Sequence, residues 1–146
     1  MAGDDDNIIR LPQIGQLDDL DAELEKLHAG RRQLGHFTLA GRTPVKVETL
    51  KAWVEEVAQR GRIAAETGVD PWRVDLTEIG EVEILTVFLG LDHNYLRRGP
   101  PILFETMIFG GRLDHSRNRC ATWDEAEAMH AEAIRLVRTA NLHVVK

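Results

Sequence analysis

The sequence predicts a single α+β domain, a small antiparallel sheet with helices packed mainly on one face. Three observations carry that expectation. Residues 81–89 (EVEILTVFL) and 102–109 (ILFETMIF) are rich in β-branched and aromatic residues, the composition of paired strands. Residues 48–67 and 122–140 repeat apolar side chains at three- and four-residue spacing, the signature of helices with one buried face. The 146 residues, 43% hydrophobic and 29% charged, are enough for one core and few for two. The expected organisation is an acidic, mobile N-terminus over 1–16, an amphipathic helix and linker over 17–35, and the domain itself over 36–146.

The elements follow in order. Asp4, Asp5 and Asp6 open an acidic run without apolar periodicity. Leu17, Leu20, Leu24 and Leu27 then fall on one face of a helix over 17–29, with Asp18 and Asp19 in its first turn where the helix dipole favours anions. Between 36 and 47, Phe37 and Leu39 alternate with polar residues and Pro44 blocks a helix, so extended chain around a turn at Gly41 is expected. The helix over 48–67 places Leu50, Trp53, Val54, Val57, Gly61 and Ala64 together, and Gly68 stops it. Gly61 inside it suggests close approach of a neighbouring backbone. The segment VDPWRVDLTEIG reads as a loop with Trp72 tucked against the core. The strands 81–89 and 102–109 should pair as an antiparallel hairpin, with Gly99, Pro100 and Pro101 stiffening the return limb of the connection. Thr122 and Glu125 form a capping box that opens the helix over 122–140, and the tail LHVVK could add an edge strand. This arrangement leaves one sheet face open.

Composition narrows the function. A net charge of -6 argues against direct nucleic-acid binding, which needs Lys and Arg clustered on one face. A single cysteine, Cys120, cannot form an internal disulfide, and the absence of an 18-residue apolar run argues against a membrane span. The expected location is the cytoplasm.

Chemistry is suggested most by residues 88–116, where Leu-Asp-His occurs at 91–93 and again at 113–115 around Glu105. In an antiparallel hairpin the two Asp-His pairs lie at opposite ends, roughly 25 Å apart at ~3.3 Å per residue, so they cannot share one metal ion. Asp92 and Asn94, like Asp114 with Ser116 and Asn118, suit loops in which side-chain oxygens cap backbone N–H groups. Glu105 shares a strand face with Leu103, Met107 and Phe109, where a carboxylate needs a partner, with an arginine as the first expectation and a general base as the alternative. His130 falls on the apolar stripe of the last helix and is expected as a core histidine bonded to a backbone carbonyl. No GxSxG, GxxxxGK[ST] or GxGxxG motif occurs, so neither cofactor nor metal is expected.

The wording VEILTVFLGLDHNY, then GPPILFETMIFGGRLD, then RCATWDEAEAMHAEAI resembles a family of small proteins encoded in bacteriophages and prophages. It runs roughly from Phe37 to Val137 and implies no activity. Leu96-Arg97-Arg98 departs from a more glycine-rich loop tip, and residues 1–35 are an extension. The hairpin followed by a capped helix is also similar to the hairpin-helix units of HicB-type antitoxins, an analogy of fold alone. The expected function is therefore that of a non-enzymatic phage or prophage accessory protein in the host cytoplasm, binding a host or phage protein, with inhibition of a host defence system as one version. The alternatives are a minor virion or assembly component that self-associates through the N-terminal helix, and a hydrolase or metal enzyme using Glu105 with Asp92 and His93. The expected binding surface comprises Leu17, Leu20, Leu24 and Leu27 together with Asp92, His93, Tyr95, Arg97 and Arg98.

Overall fold

The computed structural model describes residues 35–96 and 98–142. Its fold is α+β, with two antiparallel sheets and two helices. The order is β1 (His36–Ala40), β2 (Thr43–Val47), α1 (Leu50–Thr67), β3 (Arg73–Ile79), β4 (Val82–Phe88), β5 (Phe104–Phe109), β6 (Arg117–Cys120) and α2 (Trp123–Leu142). The helix expected over 17–29 and most of the LHVVK tail lie outside the described residues, although Leu142 itself ends α2.

The extended chain expected around a turn at Gly41 is present as β1 and β2, but instead of adding a strand to the larger sheet it makes a two-stranded sheet of its own. It meets the connection that follows β4 through the isolated bridge between His36 and Leu91. Helix α1 packs on this hairpin. The Thr49 hydroxyl caps its start by accepting the Ala52 N–H, and Gly68, in the left-handed region, closes its end. Gly61 does not approach another backbone, contrary to expectation. It is exposed, with nothing within 4 Å of where a Cβ would stand, because it lies on the solvent side of α1.

The larger sheet is a four-stranded meander in the order β3-β4-β5-β6. Two of its strands were not anticipated from the sequence. The stretch read as a wrapping loop after Pro71 is β3, joined to β4 through a tight turn at Gly80 and Glu81, and β6 follows β5. Strict alternation along β4 buries Val82, Ile84, Thr86 and Phe88, and β5 places Phe104, Thr106 and Ile108 beside them. Helix α2 lies across this face with Ala126, His130, Ala133 and Val137 buried. The Thr122–Glu125 box opens the helix as expected: the Thr122 hydroxyl donates to Glu125 and accepts the Glu125 N–H.

The core has two parts. Val82, Ile84, Ile108, Ala133 and Val137 fill one end of the sheet–helix interface. At the other end Trp72, Phe88, Phe104 and Trp123 form a chain of edge-on and tilted rings at centroid separations of 4.9, 5.4 and 6.2 Å. Arg60 of α1 stacks over Trp72 at 4.6 Å and forks onto both carboxylate oxygens of Asp70. Burial works against that carboxylate's charge, but the Arg60 guanidinium and the Trp72 N–H outweigh it and hold the Asp70 pKa below its ordinary value.

Register sorts the opposite face into rows. One reads Leu76, Leu85, Met107 and Arg117 across the four strands, and another reads Val87, Glu105 and Arg119. A third pairs Glu78, Glu83 and Phe109. Among the described residues no helix packs along this face.

Candidate functional site

The connection between β4 and β5 is built outward from a fixed base. Gly90 turns the chain at a φ of 74°, and a Cβ there would stand 2.5 Å from the Trp72 ring, so only glycine fits. Its carbonyl accepts the Trp53 indole N–H at 3.1 Å and the Phe37 N–H at 2.8 Å, which ties the loop to α1 and to β1 at once. The Asp92 N–H donates to the Gly35 carbonyl, and the ladder continues from Leu89 N–H to Leu103 and from His93 N–H to Ile102.

Two side chains then hold the loop closed. One Asp92 carboxylate oxygen accepts the N–H groups of Asn94, at 2.8 Å, and Ile102, at 3.0 Å, which clamps the two limbs together. Asn94 is buried, and its amide nitrogen donates to the carbonyls of Arg98 and Pro100 at 2.7 and 2.9 Å. The ring of His93 sits with Nδ1 at 2.9 Å from the Leu91 carbonyl, so Nδ1 carries the proton there. What projects is the tip. Tyr95 is 63% exposed and Leu96 85% exposed, with the Tyr95 ring set against His93 at 5.8 Å.

Of the expected binding residues, Leu17, Leu20, Leu24, Leu27 and Arg97 lie outside the described residues. Asp92 faces the loop's own backbone and is a bracing residue, while Tyr95 and Arg98 are exposed at the tip with His93 half-buried beneath Tyr95. Sequence reasoning placed Asn94 in the loop's bracing, where it acts as a donor to carbonyls, but missed Leu96. The available signal was an apolar side chain stranded at a loop tip between two turn-forming segments.

The two Asp-His pairs stand at opposite ends of the β4–β5 ladder, which runs from Phe88 opposite Phe104 to Glu83 opposite Phe109. Asp114 caps the Gly110 N–H at 2.7 Å and lies 3.3 Å from Nε2 of His115, whose φ of 67° places it in the left-handed region. Glu105, 8% exposed, accepts the Arg119 Nε–H at 2.8 Å across the β5–β6 pair. Its carboxylate therefore has the arginine partner expected of it.

A second polar cluster lies inside the sheet–helix interface. His130, 2% exposed, has Nε2 at 2.8 Å from the Thr77 hydroxyl and Nδ1 at 2.7 Å from the Thr86 hydroxyl. Thr86 in turn meets Thr106 at 2.6 Å, and the Asp75 carboxylate stands 3.6 Å from Nε2. Burial pushes the His130 pKa below its ordinary value, against the smaller opposing pull of Asp75. The expected backbone-carbonyl partner is replaced by threonine hydroxyls, because the strands beneath the helix supply no exposed carbonyl at mid-sheet. Thr86 and Thr106 are fully sealed, so the Nδ1 side of the array is closed to solvent, while Thr77 on the Nε2 side is half-buried and Asp75 is exposed.

Cys120 is half-buried, and burial together with the nearby Glu125 pushes its thiol up to about 11, which leaves it a protonated, weak nucleophile near neutral pH. No group of three or more His, Cys, Asp or Glu among the described residues could hold a metal ion. No described helix is long and apolar enough to cross a membrane. Comparison with known proteins finds no matching family model, no matching curated protein and no matching solved structure.

Proposed function

We propose that the chain is a non-enzymatic phage or prophage accessory protein that binds a host or phage protein through the tip of its β4–β5 loop. One observation carries the binding reading: Tyr95 and Leu96 are held out in solvent on a loop whose backbone is fixed by Asp92 and Asn94. An exposed aromatic and an exposed leucine on a rigid loop can enter a partner's pocket with little ordering cost, and such anchors dominate interface energies. The half-buried His93 ring beneath Tyr95 limits the orientations of that anchor. The phage setting rests on the resemblance of residues 37–137, and the acidic balance of the chain favours a basic partner surface, such as the nucleic-acid channel of a defence nuclease.

Affinity capture from host lysate, run in parallel with the natural chain and with a Tyr95→Ser, Leu96→Ser variant, tests this reading. A stoichiometric partner should be retained by the natural chain and reduced at least about 30-fold by the variant, since a loss of roughly 2 kcal/mol is the threshold for an anchor residue. Equal recovery with both proteins, or no stoichiometric partner with either, would refute it.

A further inference from the structure

The sheet face opposite α2 does not have the character of a solvated surface. Antiparallel sheets that meet water on one side alternate apolar-in with polar-out. Here the outward positions include Leu76, Leu85, Val87, Met107 and Phe109, the last 36% exposed, with Glu78 and Glu83 in the row of Phe109 and Glu105, paired to Arg119, in the row of Val87. Leu76, Leu85 and Met107 lie in one row across three strands, with Val87 the next outward position along β4. That makes an apolar strip roughly 10 Å across the strands and about 7 Å along them. Arg117 and Arg119 line its β6 edge.

From these observations we infer that the leucine stripe of residues 17–27 covers this face within the same chain. The length outside the described domain fits. The stripe Leu17, Leu20, Leu24, Leu27 spans 11 residues, about 15 Å end to end as a helix, enough to cover the strip's diagonal of about 12 Å. The chain enters the domain at Gly35, whose carbonyl bonds the Asp92 N–H just beyond the end of β4. The 8 residues from Leu27 to Gly35 reach up to roughly 27 Å, and Val87 is at most about 19 Å from Asp92 by chain length. Charge agrees at one edge. The segment carries Asp18, Asp19, Asp21, Glu23 and Glu25 against the single Lys26, and Arg117 of β6, opposite Met107, borders the strip it would lie on, whereas Arg119 is already paired with Glu105. Covering the strip turns a two-layer domain into three layers, helix on sheet on helix.

Cysteine pairs in the full-length chain, with Cys120→Ser as background, test the inference. Leu24→Cys is combined in separate proteins with Leu85→Cys, with Met107→Cys, and with Glu132→Cys on the exposed side of α2. Mild oxidation at low protein concentration should give an intrachain disulfide with Leu85→Cys or Met107→Cys. The yield should exceed that of the Glu132→Cys control by about tenfold or more, reflecting the higher effective concentration of a docked segment. Peptide mapping identifies the linkage, and light scattering confirms a monomer. Disulfides formed only between chains would assign the face to a second copy and overturn the inference. Equal yields for all three pairs would overturn it too. The outcome does not depend on the loop tip, since Tyr95 and Leu96 are untouched in every variant.

Discussion

His130→Leu isolates the buried polar cluster and gives a pH signature that a purely steric change would not. In the native fold the imidazole joins the hydroxyls of Thr77 and Thr86, while Thr86 keeps Thr106 as a second partner. Leucine of similar size removes two hydrogen bonds and leaves the Thr77 hydroxyl to find water at the half-buried edge of β3. At about 1 kcal/mol per net bond, and more for a hydroxyl left unpaired, the variant should be about 1–3 kcal/mol less stable at pH 7.5. Lowering the pH changes that gap. The folded pKa of His130 lies below 6.5, so the unfolded chain takes up the proton first. The stability that neutral His130 contributes is fully present above pH 6.5 and is lost as the pH falls from there towards the folded pKa, no faster than about 1.4 kcal/mol per pH unit. The leucine variant lacks this dependence, so the difference between the two proteins should shrink between pH 6.5 and 5. Urea unfolding by far-UV circular dichroism at half-unit pH steps measures it. A gap that stays constant or widens on acidification would show that His130 is as readily protonated in the fold as outside it, and the account of the cluster would fail.

Two further substitutions probe other parts of the fold. Arg119→Met should destabilise by about 1–4 kcal/mol, because it leaves the nearly buried Glu105 carboxylate unpaired, whereas adding Glu105→Gln to it should recover most of the loss in a double-mutant cycle by chemical denaturation; additive effects would mean that the pair is not coupled. Gly61→Ala should raise the thermal midpoint, with a gain of up to ~1 kcal/mol, since the site is open and helical, and a loss would reveal a contact on that side of α1.

Periodicity located α1, α2, β4 and β5 in the sequence because each buries one face against a continuous core, and the burial imprints a period of 3.6 or 2. Strand β3 escaped for a physical reason. A register shift between Arg73 and Asp75 breaks its alternation, and its inward positions Asp75 and Thr77 are polar because they serve His130. Strand β6, Arg117-Asn118-Arg119-Cys120, is an edge strand whose outward arginines answer Glu105 and Met107, so it carries almost no apolar signal. The loop was legible in part. Asp92, Asn94 and the glycine-proline return limb are turn chemistry, visible locally, and they do hold the loop. That Asn94 would be buried, and Leu96 left outside, depends on how two limbs of the loop meet, which no local pattern encodes.

The bonds that converge on the Gly90 carbonyl also set the order in which the chain can complete itself during synthesis. Trp53 of α1 and Phe37 of β1 both donate to that one oxygen, from 37 and 53 positions upstream of it. At about 5–20 residues per second, the N-terminal hairpin and α1 leave the ribosome a few seconds before their acceptor does. Strands β3 to β6, by contrast, each pair with the next strand in the chain and can close as they emerge, with the β4–β5 loop the longest closure among them. Strands β1 and β2 can therefore pair, and α1 can pack on them, as they emerge, but the Trp53 indole N–H and the Phe37 N–H gain their shared acceptor only once Gly90 has been made and the middle of the chain has folded.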